Sequence, residues 1–596
     1  MNRVAAARIA LDRGRDDIAG ELSLMVQQLL RDRRLILLLF GVQVVAYSYL
    51  YTSISFGNHL YPNAFVNPYP SFRTTSQGRW LLDLILFAQG GSGVQSAQMV
   101  AATLLQACNA TVFLRLLGVG RDLEMGILGS LFCLYPHFLD YYSFTSDHLA
   151  LVSGDSLALI GLVLLYRCRL LRARLLAASI CWFLALSIYA PKLALVCLLL
   201  LLLPVIGLLW ATTDAAPGRP VGPKVDSTPG SAAGTADSAE STKTAVATGG
   251  ELRQPPSPSW PGAIAGSDGY GCVNDQLAAC LAARLGQGVV ALLLAALAFW
   301  VSARLTITNP WPEHTHLSTA AEALRELSLA YRHWRDVVVN VIGGLTTPWI
   351  SMLPALLAAA LLIRRATAVG RPAILLIAGL LPLVPVALQS TWIINSQAWQ
   401  SSGRLLTAHA YLIVFYLAVI ILSRRLRWIA ILISSLLAWN CFVFASQASQ
   451  AIQLKSAYEF GQINRIAARL EPLISSSQND QTAIVVFGKY PKFNGKDYIR
   501  TISVNASDLV NAPAFASYRQ VDILNQVFGR RSLRPPNAAE VAQARRAAAG
   551  VQPWPAPGSV FRSGEILVVV LEPEHPGVDV TGPPSEGTSG KPGSEF

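Results

Sequence analysis

Apolar runs close to the length that crosses a bilayer as a helix, about 20 residues, alternate along this chain with short Arg-bearing turns and longer polar, aromatic stretches. The pattern predicts about eleven spans. They fall at 35–50, 94–117, 123–135 and 149–166, twice within 175–210, then at 288–301, 345–363, 372–388, 405–422 and 428–445. The run 175–210 is divided at Ala190-Pro191-Lys192, because Pro breaks a helix and a Lys at an outer turn snorkels toward headgroup phosphates. Residues 81–93 read as an amphipathic segment lying at the interface. Beyond Ser446 the periodicity becomes that of a small soluble unit, with an amphipathic helix at 451–470, buried strands at 482–487 and 566–571, and a helix at 538–549. The fold class that follows is mainly α: a polytopic membrane helical bundle with a small α/β extracytoplasmic C-terminal domain.

Composition strengthens this. Of 596 residues, 53% are hydrophobic and 14% charged, against about a quarter charged in soluble domains. The net charge of +12 sits in Arg clusters between apolar runs, as in cytoplasmic loops, so it argues for a lipid bilayer as partner and not for nucleic acid. The clusters are Arg31, Arg33 and Arg34; Arg115 and Arg121; Arg167, Arg169, Arg172 and Arg174; Arg364 and Arg365; and Arg424, Arg425 and Arg427. All fall on one side of the predicted topology, which puts the N-terminal segment 1–34 in the cytoplasm, makes the first run an uncleaved anchor, and leaves the C-terminal domain outside. Between the membrane regions 35–210 and 286–445, residues 211–285 are rich in Ala, Gly, Ser, Thr and Pro and read as a disordered cytoplasmic linker. Residues 446–571 form the outer domain and 572–596 a disordered tail. The eight cysteines lie mostly in apolar runs and make neither a disulfide framework nor a CxxC zinc pattern.

The stretch from Tyr51 to Asp83 is aromatic, rich in Pro and Asn, and closes on Ser76-Gln77-Gly78-Arg79-Trp80-Leu81-Leu82-Asp83. Ionisable groups at the mouth of an apolar helix are functional candidates. The plainer reading pairs Arg79 with Asp83 at i,i+4 and makes Trp80 an interfacial anchor. A second outer segment, 135–148, concentrates His137, Asp140, Asp147, His148 and aromatic residues. A third outer loop holds Trp311, Glu313, His314, His316 and a helical stretch at 320–334, and a fourth holds Trp392, Trp399 and Ser401-Ser402-Gly403-Arg404. Glu313-His314-Thr315-His316 has metal-ligand residue types but too few for a site, so neither a metal nor another cofactor is indicated. With no Gly-x-x-x-x-Gly-Lys loop and no strand-led Gly-x-Gly-x-x-Gly, an energised donor arrives in the membrane and not as a bound nucleotide. The outer cations Arg73, Arg79, Lys192 and Arg404 stand with the carboxylates Asp83, Asp140, Asp147 and Asp155. Arg grips phosphate bidentately and a carboxylate takes a proton from an attacking hydroxyl, which is the chemistry of displacing a lipid phosphate from a sugar.

Several short motifs then add up. Ser76-Gln77-Gly78-Arg79-Trp80 opening the second apolar region, Leu134-Tyr135-Pro136 before an aromatic outer loop, Leu186-Ser187-Ile188-Tyr189 at the paired spans, Ser402-Gly403-Arg404 late in the chain and a small C-terminal module together resemble the Gtr-type bacterial O-antigen glucosyltransferases. These belong to the multispan C-type glycosyltransferases. The resemblance runs from Leu35 to Leu470 apart from the linker. It implies an inner-membrane enzyme that transfers glucose from a polyprenyl-phosphate carrier to lipopolysaccharide O-antigen or a related surface glycan on the periplasmic face. It also implies that Arg79 and Arg404, each following a Gly, approach the same donor phosphate.

One departure shapes the choice of base. In C-type enzymes a carboxylate of the first outer loop usually serves the chemistry, whereas here Thr52 to Leu82 contains no Asp or Glu, and Asn58 and His59 stand in that region. The base is therefore expected from Asp147 first, Asp140 second and Asp83 third. Asp147 starts a descending helix whose N-terminal dipole helps keep a carboxylate ionised, although the same place suits a simple N-cap. Asp155 lies about two turns deeper, where burial disfavours the charged form and makes a poorer base. Two other classes compete with an enzyme. A lipid-linked glycan transporter or flippase needs polar residues along the middle of several spans, where the sequence shows few, and a non-catalytic assembly partner needs neither.

Overall fold

The structure, a computed structural model, describes residues 2–52, 69–88, 95–143, 147–214, 274–310, 315–343, 348–397, 405–423, 425–474, 481–488, 520–529 and 532–572. Asn58, His59, Glu313, His314, Trp399, Ser401, Ser402, Gly403 and Arg404, most of the linker and the tail from 573 lie outside the described residues.

The chain opens with α1 (Asn2–Arg31), α2 (Arg33–Ala46) and α3 (Ser48–Thr52). Next come α4 (Phe72–Gln77), α5 (Trp80–Ala88), α6 (Gln95–Leu116) and α7 (Asp122–Cys133). A 3-10 turn at Pro136–Phe138 and α8 (Leu139–Ser143) precede α9 (His148–Arg167), α10 (Leu171–Ile188) and α11 (Lys192–Asp214). The second half holds α12 (Asn274–Thr306), α13 (Ala320–Gly343), α14 (Pro348–Val369), α15 (Arg371–Leu380), α16 (Leu383–Ile394), α17 (Ala408–Ile421) and α18 (Arg427–Leu470). The expected linker is thus trimmed at both ends, since α11 reaches Asp214 and α12 begins at Asn274.

Among the described residues eight helices are long and apolar enough to cross a membrane, including Ala97–Leu116, His148–Arg167, Lys192–Leu209 and Leu277–Thr306. The spans expected at 35–50, 123–135 and 405–422 are present as shorter helices, α2, α7 and α17, of 14, 12 and 14 residues. Twelve residues rise only about 18 Å, short of a hydrocarbon core of about 30 Å.

Charge gathers one end of the bundle. The N-terminal segment, for which the sequence indicates a side of the membrane but no element, is a 30-residue helix. Its Glu21 pairs with Arg167 at 2.5 Å, and Asp17 accepts from the backbone N of Arg169 and Leu170 at 2.9 and 3.1 Å. Asp32 takes Nε and Nη2 of Arg115 at 3.0 and 2.6 Å, and Glu124 pairs with Arg427. Arg174 donates to Cys168 O and to Gln287 Oε1. Arg365 reaches Leu422 O at 3.2 Å. The turns α6–α7, α9–α10 and α17–α18 therefore lie at one end, the arginine end.

The helical stretch at 320–334 packs against a neighbouring helix. It is part of α13, which runs antiparallel along α16: Ser318 N donates to Ile394 O at 2.8 Å, Gln389 Nε2 to Glu326 Oε2 at 3.0 Å, and Tyr331 OH to Pro382 O at 2.7 Å. Thr319 and Glu322 start this helix with a reciprocal capping box, Thr319 N donating to Glu322 Oε2 at 2.7 Å and Glu322 N to Thr319 Oγ1 at 3.3 Å.

The span at 428–445 and the helix at 451–470 are one element. α18 has 44 residues, about 66 Å of helix, and no Pro interrupts it. Its far end meets a sheet of β1 (Thr482–Phe487), β2 (Leu533–Arg534), β3 (Val560–Ser563) and β4 (Ile566–Val570) in the order β2-β1-β4-β3. β1 is parallel to β2 and β4, and β3 is antiparallel to β4. Ile463, Ile466 and Leu470 of α18 and Ile523 and Leu524 of α19 (Gln520–Val527) cover one face. Ala544 and Ala548 of α20 (Ala538–Ala548) cover the other. Strands covered on both faces explain the unbroken apolar runs of β1 and β4.

Candidate functional site

The end of the bundle opposite the arginine end carries the polar residues singled out from the sequence. Its local frame is the short helix α4. Ser71 caps it, accepting from Arg73 N at 3.2 Å, and Gly78 at φ 68° closes it, with Gly78 N on Thr74 O at 3.1 Å and Arg79 N on Arg73 O at 2.9 Å. Gly takes this left-handed conformation without steric cost, and a Cβ there would stand 3.2 Å from Ala303 Cβ. Thr308 N and Asn309 N donate to Thr75 O at 2.9 and 3.0 Å, which ties the end of α12 to the same turn.

Gly78 also decides where Arg79 points. The Arg79 guanidinium lies 4.7 Å from the centre of the Tyr189 ring, a cation–π contact, and no ion pair joins it to Asp83. The Asp83 carboxylate instead accepts from Ser71 N at 2.5 Å and Thr74 Oγ1 at 2.8 Å, pinning the α4 turn. The plainer alternative, an i,i+4 pair of Arg79 and Asp83, is not formed: Arg79 precedes α5 and its side chain turns to Tyr189 at the end of α10. Trp80 packs beside Phe183 of α10, ring centres 6.0 Å apart.

Asp147 is also differently employed than a cap. It occupies the N-cap position of α9 but makes no side-chain cap hydrogen bond. Its Oδ1 stands 3.3 Å from Arg73 Nη2, and the side chains are only 7% and 3% exposed. Asp140 is buried in the first turn of α8.

Lys192 does not snorkel. Its Nζ is 2.6 Å from Asp155 Oδ1, both side chains being 2% exposed, and it donates to the Tyr141 hydroxyl. That hydroxyl in turn bonds Asp155 Oδ2 at 3.0 Å and Thr407 Oγ1 at 3.1 Å. Gly154 makes room for the Lys stem, since a Cβ there would stand 3.2 Å from Lys192 Cε. Lys192, expected among the phosphate ligands, is thus held by Asp155 and Tyr141 in this structure. A buried charge is tolerated only with such partners, and this network joins α8, α9, α11 and the entry to α17.

A further polar seam escaped the sequence reading. Gln43 Nε2 donates to Leu39 O and Thr103 O, both at 3.2 Å, Tyr51 bonds the Thr103 hydroxyl, and Thr103 reaches Tyr142 OH at 3.3 Å. The Tyr47 ring lies 4.2 Å from Tyr142 and the Tyr142 ring 4.3 Å from His148. The signal was present, since Gln43, Thr103 and Gln106 interrupt apolar runs, but isolated polar residues show no partnership until helices are packed.

Among the described residues no group of three or more His, Cys, Asp or Glu is arranged to hold a metal ion. His316 meets Glu322 at 3.2 Å at the start of α13. No family model, curated protein or solved structure matches this chain.

Proposed function

We propose that this chain is a membrane glycosyltransferase, a hexosyltransferase that moves a sugar, glucose in the first instance, from a polyprenyl-phosphate carrier to lipopolysaccharide O-antigen or a related surface glycan at the periplasmic face of the bacterial inner membrane. The observation that carries this reading is the buried Arg73–Asp147 pair at 3.3 Å, beside the turn that presents Arg79 and at the end of the bundle away from the arginine turns. A guanidinium, the kind of group that grips phosphate, buried beside a carboxylate supports a lipid-borne donor and a water-excluded reaction. In the reaction an acceptor hydroxyl attacks the anomeric carbon of the sugar and the bond from that carbon to the phosphate oxygen breaks. The carrier departs as polyprenyl phosphate, and the hydroxyl proton passes to a carboxylate. Asp147 is the first choice for that base, then Asp140, then Asp83. Arg79 and Arg73 receive the negative charge of the leaving phosphate, with Arg404 as a further ligand.

The test is direct. Purified protein supplied with polyprenyl phosphate glucose and lipopolysaccharide should transfer glucose, and absence of transfer with the donor intact would sink the reading. Charge-assisted contacts to phosphate contribute about 1.5–3 kcal/mol each, so Arg79→Ala should weaken donor use by roughly tenfold to a hundredfold. Arg79→Lys should recover little, because a point charge reproduces neither the planar fork nor the stacking on Tyr189. Normal donor kinetics in Arg79→Ala would reduce Arg79 to packing.

A second reading, a lipid-linked glycan flippase, draws on the seam of Gln43, Thr103 and Tyr142 between helices. Vesicles separate the two: a flippase moves intact lipid-linked sugar between leaflets without an acceptor, and the enzyme releases polyprenyl phosphate only when an acceptor is present.

A further inference from the structure

The reaction proposed above leaves His148 without a task, although it is the immediate neighbour of Asp147. His148 is the first residue of α9 and is 0% exposed. Both ring nitrogens, Nδ1 and Nε2, are buried without a hydrogen-bond partner. A neutral imidazole has one N–H donor and one acceptor, and burying both unmade is costly enough that native proteins rarely do it without a reason. Packing supplies no such reason, since an apolar ring fills similar space with nothing to satisfy.

The surroundings indicate what the ring is kept for. The Tyr142 ring is tilted at 57° to the imidazole with centres 4.3 Å apart, and the Tyr141 ring lies at 6.3 Å. Behind Tyr142 stands Tyr47, whose hydroxyl is also buried without a partner. Charge is held elsewhere: Asp147 by Arg73, and Asp155 by Lys192. A phosphate would go to the guanidinium groups of Arg73 and Arg79. Aromatic walls combined with unspent hydrogen-bonding edges suit a neutral group with a mixed apolar and hydroxyl surface, which is what a hexose presents.

We propose that His148 binds the transferred sugar, hydrogen-bonding one of its hydroxyls while Asp147 beside it handles the reacting proton. The proposal rests on the glycosyltransferase reading. It makes His148 a specificity-determining residue: a buried group built to bond a substrate hydroxyl rejects the analogue lacking it, because the protein group is then left unpaired.

The experiment compares the parent chain with His148→Phe, which keeps a planar ring, and His148→Gln, which keeps hydrogen-bonding capacity. Each is given polyprenyl phosphate alone, polyprenyl phosphate glucose, and the donors with single hydroxyls of the glucose deleted. The parent should discriminate against at least one deoxy donor by about tenfold or more in kcat/KM. His148→Phe should melt at or above the parent's temperature and be stabilised by bare polyprenyl phosphate as the parent is, yet treat that deoxy donor and the full sugar alike. His148→Gln should keep part of the discrimination. Retention of the parent's full discrimination by His148→Phe would overturn the assignment while leaving the function standing. So would a His148→Phe that melts well below the parent, with discrimination intact in the protein that stays folded. If neither lipid stabilises the parent and no sugar moves, the donor reading itself fails and the role of His148 falls with it.

Discussion

Asp147 is asked to be both a proton acceptor and the partner of Arg73, and the two demands separate on substitution. Asn keeps an oxygen for Arg73 Nη2, 3.3 Å away, but neither takes the proton nor balances the guanidinium. Asp147→Asn should therefore lower turnover by at least about a hundredfold, with a donor KM near that of the parent and some loss of stability from the half-neutralised pair. Activity has to be normalised to folded protein. An unchanged turnover in Asp147→Asn, with Asp140→Asn inert, would hand the role to Asp140. Asp83→Asn is expected to act through the α4 turn, because its Oδ2 already serves Ser71 N and Thr74. The Lys192–Asp155 pair behaves in a different way. Removing one member leaves a buried charge, so Lys192→Met alone should cost about 3–5 kcal/mol, whereas Lys192→Met with Asp155→Leu should return close to the parent. Unfolding of the parent and the two variants in detergent checks this, and equal stability of the single and double variants would show that the pair is not coupled. Neither pair was legible in the sequence. Arg73 and Asp147 are 74 residues apart and Lys192 and Asp155 are 37 apart, so their meeting depends on helix packing that no local period encodes. What local geometry did suggest, the pairing of Arg79 with Asp83, was undone by Gly78, which ends α4 and redirects the chain at that point.

At the scale of elements, periodicity was read most truly where both faces of an element are covered. The expected strands at 482–487 and 566–571 are β1 and β4, the latter at 566–570, and the expected helix at 538–549 is α20 at 538–548, which covers one face of the sheet. Length was the weaker guide. The seam between the apolar and amphipathic halves of α18 looked like a boundary, but a change in what surrounds a helix does not end it when no Pro or cap intervenes. α20 illustrates the converse, a start written in chemistry. Asn537 accepts from Glu540 N at 2.9 Å, and Glu540 Oε2 accepts from Asn537 N at 2.7 Å while both its oxygens take Arg534 at 2.9 and 2.6 Å. The Arg534 hydrogen bonds first, and the Asn537 backbone second, hold the Glu540 carboxyl below its ordinary range. A carboxyl depressed in the folded state stabilises fully above its unfolded value, about 4.3, and that contribution is lost as pH falls through the folded value. Hydrogen exchange at α20 in the full chain, taken relative to the intrinsic rate at each pH, should therefore accelerate on acidification below about pH 4. In Glu540→Gln it should be faster than in the parent at neutral pH and less sensitive to acid. An identical acid response in the two proteins would remove Glu540 as the cause.

For the whole molecule the arrangement of charge makes the strongest statement. Arginines far apart in sequence meet acids and carbonyls at one end, with α1 laid against them through Glu21 and Asp17, and Arg73, Asp83, Asp147 and Lys192 lie toward the other. Positive charge is retained on the cytoplasmic side of membranes, so the arginine end, with α1, is expected inside, and the sheet at the far end of α18 outside. Two exposed positions test this without disturbing either end. The Asp16 side chain on α1 is 73% exposed and the Glu565 side chain between β3 and β4 is 93% exposed. In intact cells an impermeant thiol reagent should label Glu565→Cys and leave Asp16→Cys untouched until the membrane is opened, each measured against the labelling of the parent chain. The seven described native cysteines are buried or half-buried, which keeps that background low. The reverse pattern would invert the chain, placing the Arg73–Asp147 pair on the cytoplasmic side. Transfer to a periplasmic glycan would then be ruled out by geometry, whatever the chemistry of the site.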